Sequence, residues 1–403
     1  MLNTIRLWVR TRYRVIVNSI AFYPAFIALL FALLSVFLIW FDFTPTGRDI
    51  RSGLGWMGLK DASAARAIIA TIAGGTITLT VFSFSMVMIV LNQAASQLSN
   101  RILDQLIGNR FQQMVLGTYI GSIIYALLLL SAVRENGDEA SLPVISTYLL
   151  ILIAIVDIFL FIYFLHFITQ AVKYEVVIAR IAAETQRSLE KTCDSDQDVV
   201  EEPRAELPFV VSCATSGIQQ DMDDAALLSY CVRHDCTIAF ADLPGTFLLK
   251  GAPLVRTDRP LSEEEQDALR DLLPLSRTGS VASNYAFGLR QLTEVALKAL
   301  SPGVNDPGTA ILAIRSLFEL FRYRLEHFPV PVLRDEDDRE RVFKRVWTFD
   351  LIFSATVLAI WDVGHGDRSI RHELEVLLPQ LRTPSEAVAA MKDRVHKEIE
   401  KQA

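Results

Sequence analysis

The sequence predicts an α-helical membrane domain of four transmembrane helices, followed by a cytosolic α+β module and a mainly α-helical C-terminal domain. Three observations carry this. A helix needs about 20 apolar residues to cross a bilayer core of about 30 Å, and four segments before residue 174 qualify. Charge then changes sign: residues 1–173 hold 12 Lys+Arg and 8 Asp+Glu, net +4, leaving 27 and 38, net −11, for residues 174–403. All four cysteines, Cys193, Cys213, Cys231 and Cys236, fall in that acidic part. With 51% hydrophobic residues, disorder is excluded for most of the chain. A net charge of −7 leaves no overall basic footprint for nucleic acid.

Residues 1–23 form a basic amphipathic stretch suited to an anionic inner leaflet. The first span runs from about Pro24 to Phe41, bracketed by Tyr23 and Trp40 as amphipathic rings bracket a bilayer. Its apolar run is too long for a signal peptide and no A-x-A site follows, so it reads as retained. The second span covers about Ala67 to Leu91, the third Met114 to Val133, and the fourth Pro143 to Ile168. The membrane domain thus occupies residues 24–173. Near the spans, nine Lys or Arg residues (Arg6, Arg10, Arg12, Arg14, Arg101, Arg110, Lys173, Arg180, Arg187) lie on one side and five (Arg48, Arg51, Lys60, Arg66, Arg134) on the other. This bias puts both termini in the cytosol of a bacterial inner membrane, where free thiols are normal.

Within the spans, Gly117 and Gly121 make a G-x-x-x-G that lets two helices approach closely. In span two, Gly74, Thr78 and Ser85 share one face and Thr76, Thr80 and Ser83 the other. Small polar residues on two faces predict a helix enclosed by others; a polar conduit has the same pattern. Asn92 to Gln113 has apolar residues at Leu98, Ile102, Leu106 and Phe111, predicting a surface helix that continues span two. Asp157 is the charged residue of span four, with no Lys or Arg inside any span to pair with it. Its ionised form costs roughly 2.5–3.5 kcal/mol or more at mid-bilayer. It is either a packed carboxyl bonded to hydroxyls such as Thr80, Ser83 or Ser122, or a proton- or cation-binding group.

Residues 174–208 read as a helical extension and an acidic linker. Residues 209–260 read as the α+β module: strands at Phe209–Ala214, Cys236–Ala241 and Thr246–Lys250, a helix at Asp221–Arg233, and a Pro244-Gly245 turn. Residues 261–403 read as helical. Ser262 to Glu265 is a capping box, and helices are expected at about Ala282–Leu300, Pro307–His327, Asp338–Val363, Ser369–Leu381 and Pro384–Lys401.

The string Ser301-Pro-Gly-Val-Asn305-Asp306-Pro-Gly is first a connector. Gly303 is expected as the left-handed helix stop, Asp306 as N-cap and Pro307 at N1. The sharper reading is a ligand or ion site of Ser301, Asn305 and Asp306. Cys231, His234 and Cys236 place three possible metal ligands within six residues, but no second pair at zinc spacing follows. Buried structural cysteines are the expectation, and no metal is assigned. Asp362, His365 and Asp367 form an unsupported His-Asp constellation. No G-x-S-x-G, P-loop or G-x-G-x-x-G string occurs, so no catalytic residue and no cofactor is assigned.

Three strings, VFSFSMVMIVLNQAASQLSNRILDQLIGNRFQQMVLGTYIGSIIYALLLL, PGTFLLKGAPL and FGLRQLTEVALKALSPGVNDPGTA, together resemble the bacterial predicted membrane proteins of the domain of unknown function 2254 family. They span about Val81 to Ala310, in the family's order. The resemblance implies an inner-membrane protein with a cytosolic domain and supplies no established activity. Asn305 and Asp306 match the family's connector string; Gly308 departs from the bulkier residue expected there. Function divides into an oligomeric ion channel or transporter-like protein with a cytosolic regulatory domain, and a membrane-anchored scaffold or sensor binding a cytosolic partner. Four spans without an internal repeat mean that a transport pathway would need a homo-oligomer.

Overall fold

The computed structural model describes residues 22–53, 62–97, 110–133, 142–171, 173–195, 207–220 and 222–402. The chain divides into two compact units, Met1–Lys173 and Tyr174–Ala403. The expected interfacial segment 1–21, most of the acidic linker (196–206) and the middle of the Asn92–Gln113 segment lie outside the described residues.

The first unit contains α1 (Phe22–Asp42), α2 (Pro45–Gly53), α3 (Ala62–Gln97), α4 (Arg110–Ala132) and α5 (Val144–Ala171). Helices α1, α3, α4 and α5 are long and apolar enough to cross a membrane. Helix α4 is the most enclosed, burying Tyr119, Ser122, Tyr125, Ala126 and Leu129. Its two glycines explain its fit against α1. A Cβ on Gly117 would sit 2.9 Å from the Pro24 Cα, and one on Gly121 would sit 2.7 Å from the Phe31 ring. The G-x-x-x-G is therefore spent on internal packing.

Helix α3 departs from its expected enclosure. The face with Gly74, Thr78 and Ser85 is exposed, whereas on the opposite face Thr76 and Ser83 are buried and Thr80 is half-buried. Thr78 and Ser85 bond back to the carbonyls of Gly74 and Val81, each at 2.9 Å. A hydroxyl satisfied by its own helix needs no neighbouring helix, so two polar faces do not require two packed faces.

Asp42 joins the two ends of this unit. It is buried at the last residue of α1. Its carboxylate accepts from the N–H groups of Ile145 at 3.0 Å and Ser146 at 2.9 Å, and from the Ser146 hydroxyl. The first N–H groups of a helix have no partner within it, so α1 supplies the N-terminal cap of α5. Nearby, the Tyr125 hydroxyl donates to the Ser146 carbonyl at 3.0 Å.

The second unit opens with α6 (Tyr174–Thr192) and continues through β1 (Phe209–Ser212), β2 (Gly217–Gln219), α7 (Asp224–Arg233), β3 (Ile238–Phe240), β4 (Phe247–Leu248) and β5 (Pro253–Thr257). Then come α8 (Glu263–Leu272), β6 (Leu275–Ser276), α9 (Tyr285–Ala299), α10 (Pro307–Glu326), β7 (Val332–Arg334) and β8 (Glu340–Phe343). The chain ends in α11 (Phe349–Phe353), a π turn over Ser354–Leu358, α12 (Ala359–Gly364), α13 (Arg368–Leu377) and α14 (Glu386–Gln402).

A five-stranded sheet has the order β1-β5-β3-β8-β7, antiparallel except for the parallel β3–β8 pair, and a three-stranded sheet has the order β4-β2-β6. Leu227, Cys231, Ile238, Val255, Leu269 and Val342 share one buried core. The helix expected from Asp338 does not begin there. Residues 340–343 form β8 between β3 and β7, and the helix starts only at Phe349, capped by Thr348. Pairing on both sides overrides a helical sequence pattern. The capping box of Ser262 and Glu265 forms as expected. Helices α6, α9 and α10 pack together, and a Cβ on Gly288 of α9 would lie 1.8 Å from the Thr185 Oγ1 of α6. Only glycine lets these two helices approach so closely.

Replacing Asp42 with Ala removes the acceptor for three donors and is expected to destabilise the protein by about 1–2 kcal/mol, as for a strong N-cap. The check is the melting temperature of the purified protein in detergent. Asp42→Asn, which keeps one acceptor oxygen, should lose less.

Candidate functional site

Asp157 lies on the inward face of α5, with no exposed surface. Its lipid-side neighbours Val156, Ile158 and Phe159 are exposed on the same helix. Neither carboxylate oxygen has a hydrogen-bond partner. The Ser122 hydroxyl, beside the carboxyl, donates at 3.0 Å to the Thr118 carbonyl of its own helix. Tyr119 donates at 3.5 Å to the Asp157 backbone carbonyl, not to its side chain. Ser83 is buried and its hydroxyl is also without a partner. Thr80 points its hydroxyl at the Thr76 carbonyl, 2.7 Å away. Four side chains from three helices, Ser83, Tyr119, Ser122 and Asp157, thus form a polar patch in an apolar interior. An ionised carboxyl without partners is strongly disfavoured in hydrocarbon.

Among the described residues the unit carries a second buried acid, Asp42, which sequence reasoning passed over because it sits at the end of the first apolar run. The two differ in what they hold. Asp42 is engaged by three donors, whereas Asp157 has none.

The connector between α9 and α10 is closed by its own hydrogen bonds. The Ser301 hydroxyl donates to the Lys298 carbonyl at 2.7 Å. The Asp306 N–H reaches the Ala299 carbonyl at 2.8 Å. The Asp306 carboxylate accepts from the Thr309 hydroxyl at 2.6 Å and the Thr309 N–H at 3.1 Å. These donors hold its carboxyl below the usual aspartate range. The left-handed residue is Asn305, at φ +50°, and not Gly303 as expected. Asn tolerates that region better than other side-chain-bearing residues do. Asn305 is exposed and Gly303 has open space around it.

The remaining constellations do not converge. Cys231 and Cys236 are fully buried and hydrogen-bond to each other, which raises the first thiol and lowers the second. His234 turns away, its Nδ1 lying 3.1 Å from a Glu265 oxygen. Arg259 and the Ser262 N–H hold the Glu265 carboxyl down to about 2. Burial pushes the Cys193 thiol up to about 11. Asp367 caps α13, and the His365 Nδ1 faces the Trp361 carbonyl at 3.2 Å, so no His-Asp pair forms. Among the described residues no group of three or more His, Cys, Asp or Glu side chains is placed to hold a metal.

The sequence profile of a family described as "Predicted membrane protein (DUF2254)" matches residues 17–379. Among curated proteins, an uncharacterized protein of Mycobacterium bovis and one of Mycobacterium tuberculosis strain H37Rv are each 27% identical over 269 residues. A third, from Mycobacterium tuberculosis strain CDC 1551, is 26% identical. Each match covers 63% of this chain and 51% of the relative, so the chain spans about half the length of the curated relatives it matches. No solved structure matches.

Replacing Asp306 with Ala removes the α10 cap and is expected to cost about 1 kcal/mol. Asn305→Val should cost more, because a β-branched residue is penalised at positive φ. Gly303→Ala should change stability by less than about 0.5 kcal/mol, as at an open surface position. Thermal unfolding of the purified full chain reads all three.

Proposed function

We propose, for a chain that belongs to the DUF2254 family of predicted membrane proteins, that its four-helix unit binds and releases a proton or a small cation at Asp157. One observation supports this reading: a fully enclosed carboxyl whose two oxygens have no hydrogen-bond partner. A carboxyl kept only for packing would be bonded, as Asp42 is. An unbonded one must take a proton or a cation to be stable in hydrocarbon, and it gives that charge up only when water or a partner reaches it. The unpartnered Ser83 hydroxyl and the neighbouring Ser122 and Tyr119 supply oxygens for a bound cation or its exchange.

Because Asp157 faces the inside of one protomer, this exchange does not depend on a ring of copies. A homo-oligomer, channel-like conduction and a cytosolic partner of the second unit remain parts of the proposal beyond it. The lysine and arginine bias supports an inner-membrane setting with both termini cytosolic. The second reading, a membrane-anchored scaffold or sensor, keeps Asp157 as a silent packing group.

Proteoliposomes separate the two. Asp157→Asn keeps hydrogen-bonding capacity but cannot titrate. Proton or cation flux in the parent should fall at least tenfold in the mutant, while assembly and melting are unchanged. Equal flux at every pH, or no flux in either protein across common cations, would sink the exchange reading and leave the scaffold.

Topology has its own readout. Reporter fusions active only outside the cytosol should work after Gly53 and Gly137 and stay silent after Asn109 and Gln197. Activity after Gln197 would overturn the orientation.

A further inference from the structure

The second unit holds a cavity of about 650 Å³, within the size range of small-molecule sites. It opens at the ends of β3 and β8, the parallel pair of the five-stranded sheet, where Phe240 closes one strand and Lys344 follows the other. The space beyond the carboxyl ends of parallel strands is where mixed sheets place their ligands, because helix N-termini converge on it. Here the N-caps of α7 and α9, Asp223 and Asn284, both line it.

Asn284 makes this more than an empty space. It is only 6% exposed. Its Oδ1 accepts from the Ala286 N–H at 2.9 Å, which fixes the amide's orientation, and its Nδ2 is left without any partner. A buried amide donor without an acceptor is rare in native structures and points to a missing one.

The wall's charges say what kind of molecule brings it. Two of the four lining aspartates are already in use. Asp223 caps α7 through the Ala225 and Ala226 N–H groups, and Asp224 holds Lys344 in an ion pair. Asp242 and Asp194 make no hydrogen bond or ion pair among the described residues. Asp242 is half-buried at the end of β3. Lys191 and Arg345 also line the space, both from exposed positions at its edge. Inside, Phe240 and Tyr285 are buried, and the Trp347 indole is pinned by its Nε1 donating to the Pro244 carbonyl at 2.9 Å. A half-buried free carboxylate beside aromatic surfaces suits an ammonium group on an apolar body.

We infer that this cavity binds a small organic amine, with its ammonium group at Asp242, its apolar part along Phe240, Tyr285 and Trp347, and an oxygen accepting from Asn284. This site is separate from Asp157 and does not depend on its exchange chemistry.

The test uses the full chain in nanodiscs, with tyramine, dopamine and serotonin as probes and AMP as an anionic comparator. Calorimetry and thermal shift should show at least one amine binding at one per chain. Asp242→Asn should weaken that binding at least tenfold without changing the melting temperature of the free protein. Asp393→Asn, on the exposed face of α14, and Asp157→Asn should leave it as in the parent. No binding by any of the three amines, amine binding indifferent to Asp242→Asn, or tighter binding of AMP than of every amine would each overturn the proposal.

Discussion

The Asp42 carboxylate, at the last residue of the first membrane helix, closes the first turn of the fourth. Asp42 and Ser146 are buried in the protein, where water does not take that place and each unsatisfied N–H is costly. Two helices more than 100 residues apart in sequence are tied by one side chain whose donors lie on the other helix. The partial positive charge at a helix N-terminus also favours a carboxylate there. With the start of α5 fixed in this way, its inward face follows, and Asp157 three turns later is carried to the interior and not to lipid.

The membrane unit therefore treats the two buried acids among its described residues oppositely. One is surrounded by donors and serves geometry. The other has beside it groups that face elsewhere: Ser122 toward the Thr118 carbonyl and Tyr119 toward a backbone carbonyl. Hydroxyls in membrane helices have an acceptor available one turn back, so proximity to an acid does not make them its partners. This is also why α3 stands with one polar face outward.

The membrane part of the fold was legible because its signal is long. Runs of about 20 apolar residues have few other readings, and the four helices lie where those runs do. The sheet was harder. Strands β5, β7 and β8 have three to five residues each, too few to show an alternation, and they exist because neighbours in space pair with them. Asp338 to Val363 looked helical until β3 and β7 claimed its first part. Caps were legible where side chain and spacing coincide, as at Ser262 and Asp306. The left-handed turn was assigned to Gly303 by residue type, although Asn305 takes it. Of the candidate site, Asp157 stood out as a charge in an apolar run. The donors of Asp42 and the empty amide of Asn284 could not stand out, since both depend on contacts distant in sequence.

The π turn over Ser354–Leu358 has a bearing on how this protein can vary in length. Such a turn holds one residue more than the α turn it replaces. The segment from Phe349 to Gly364 is in effect a regular helix that has absorbed a one-residue insertion without turning its flanks out of phase. Upstream, Ile352 and Phe353 stay in the core; downstream, Ile360 and Trp361 do as well. A chain lacking one residue here would close the bulge and keep both flanks facing inward. The same deletion in the middle of α10 would turn every residue beyond it by about 100°, taking that part of its buried face out of the core.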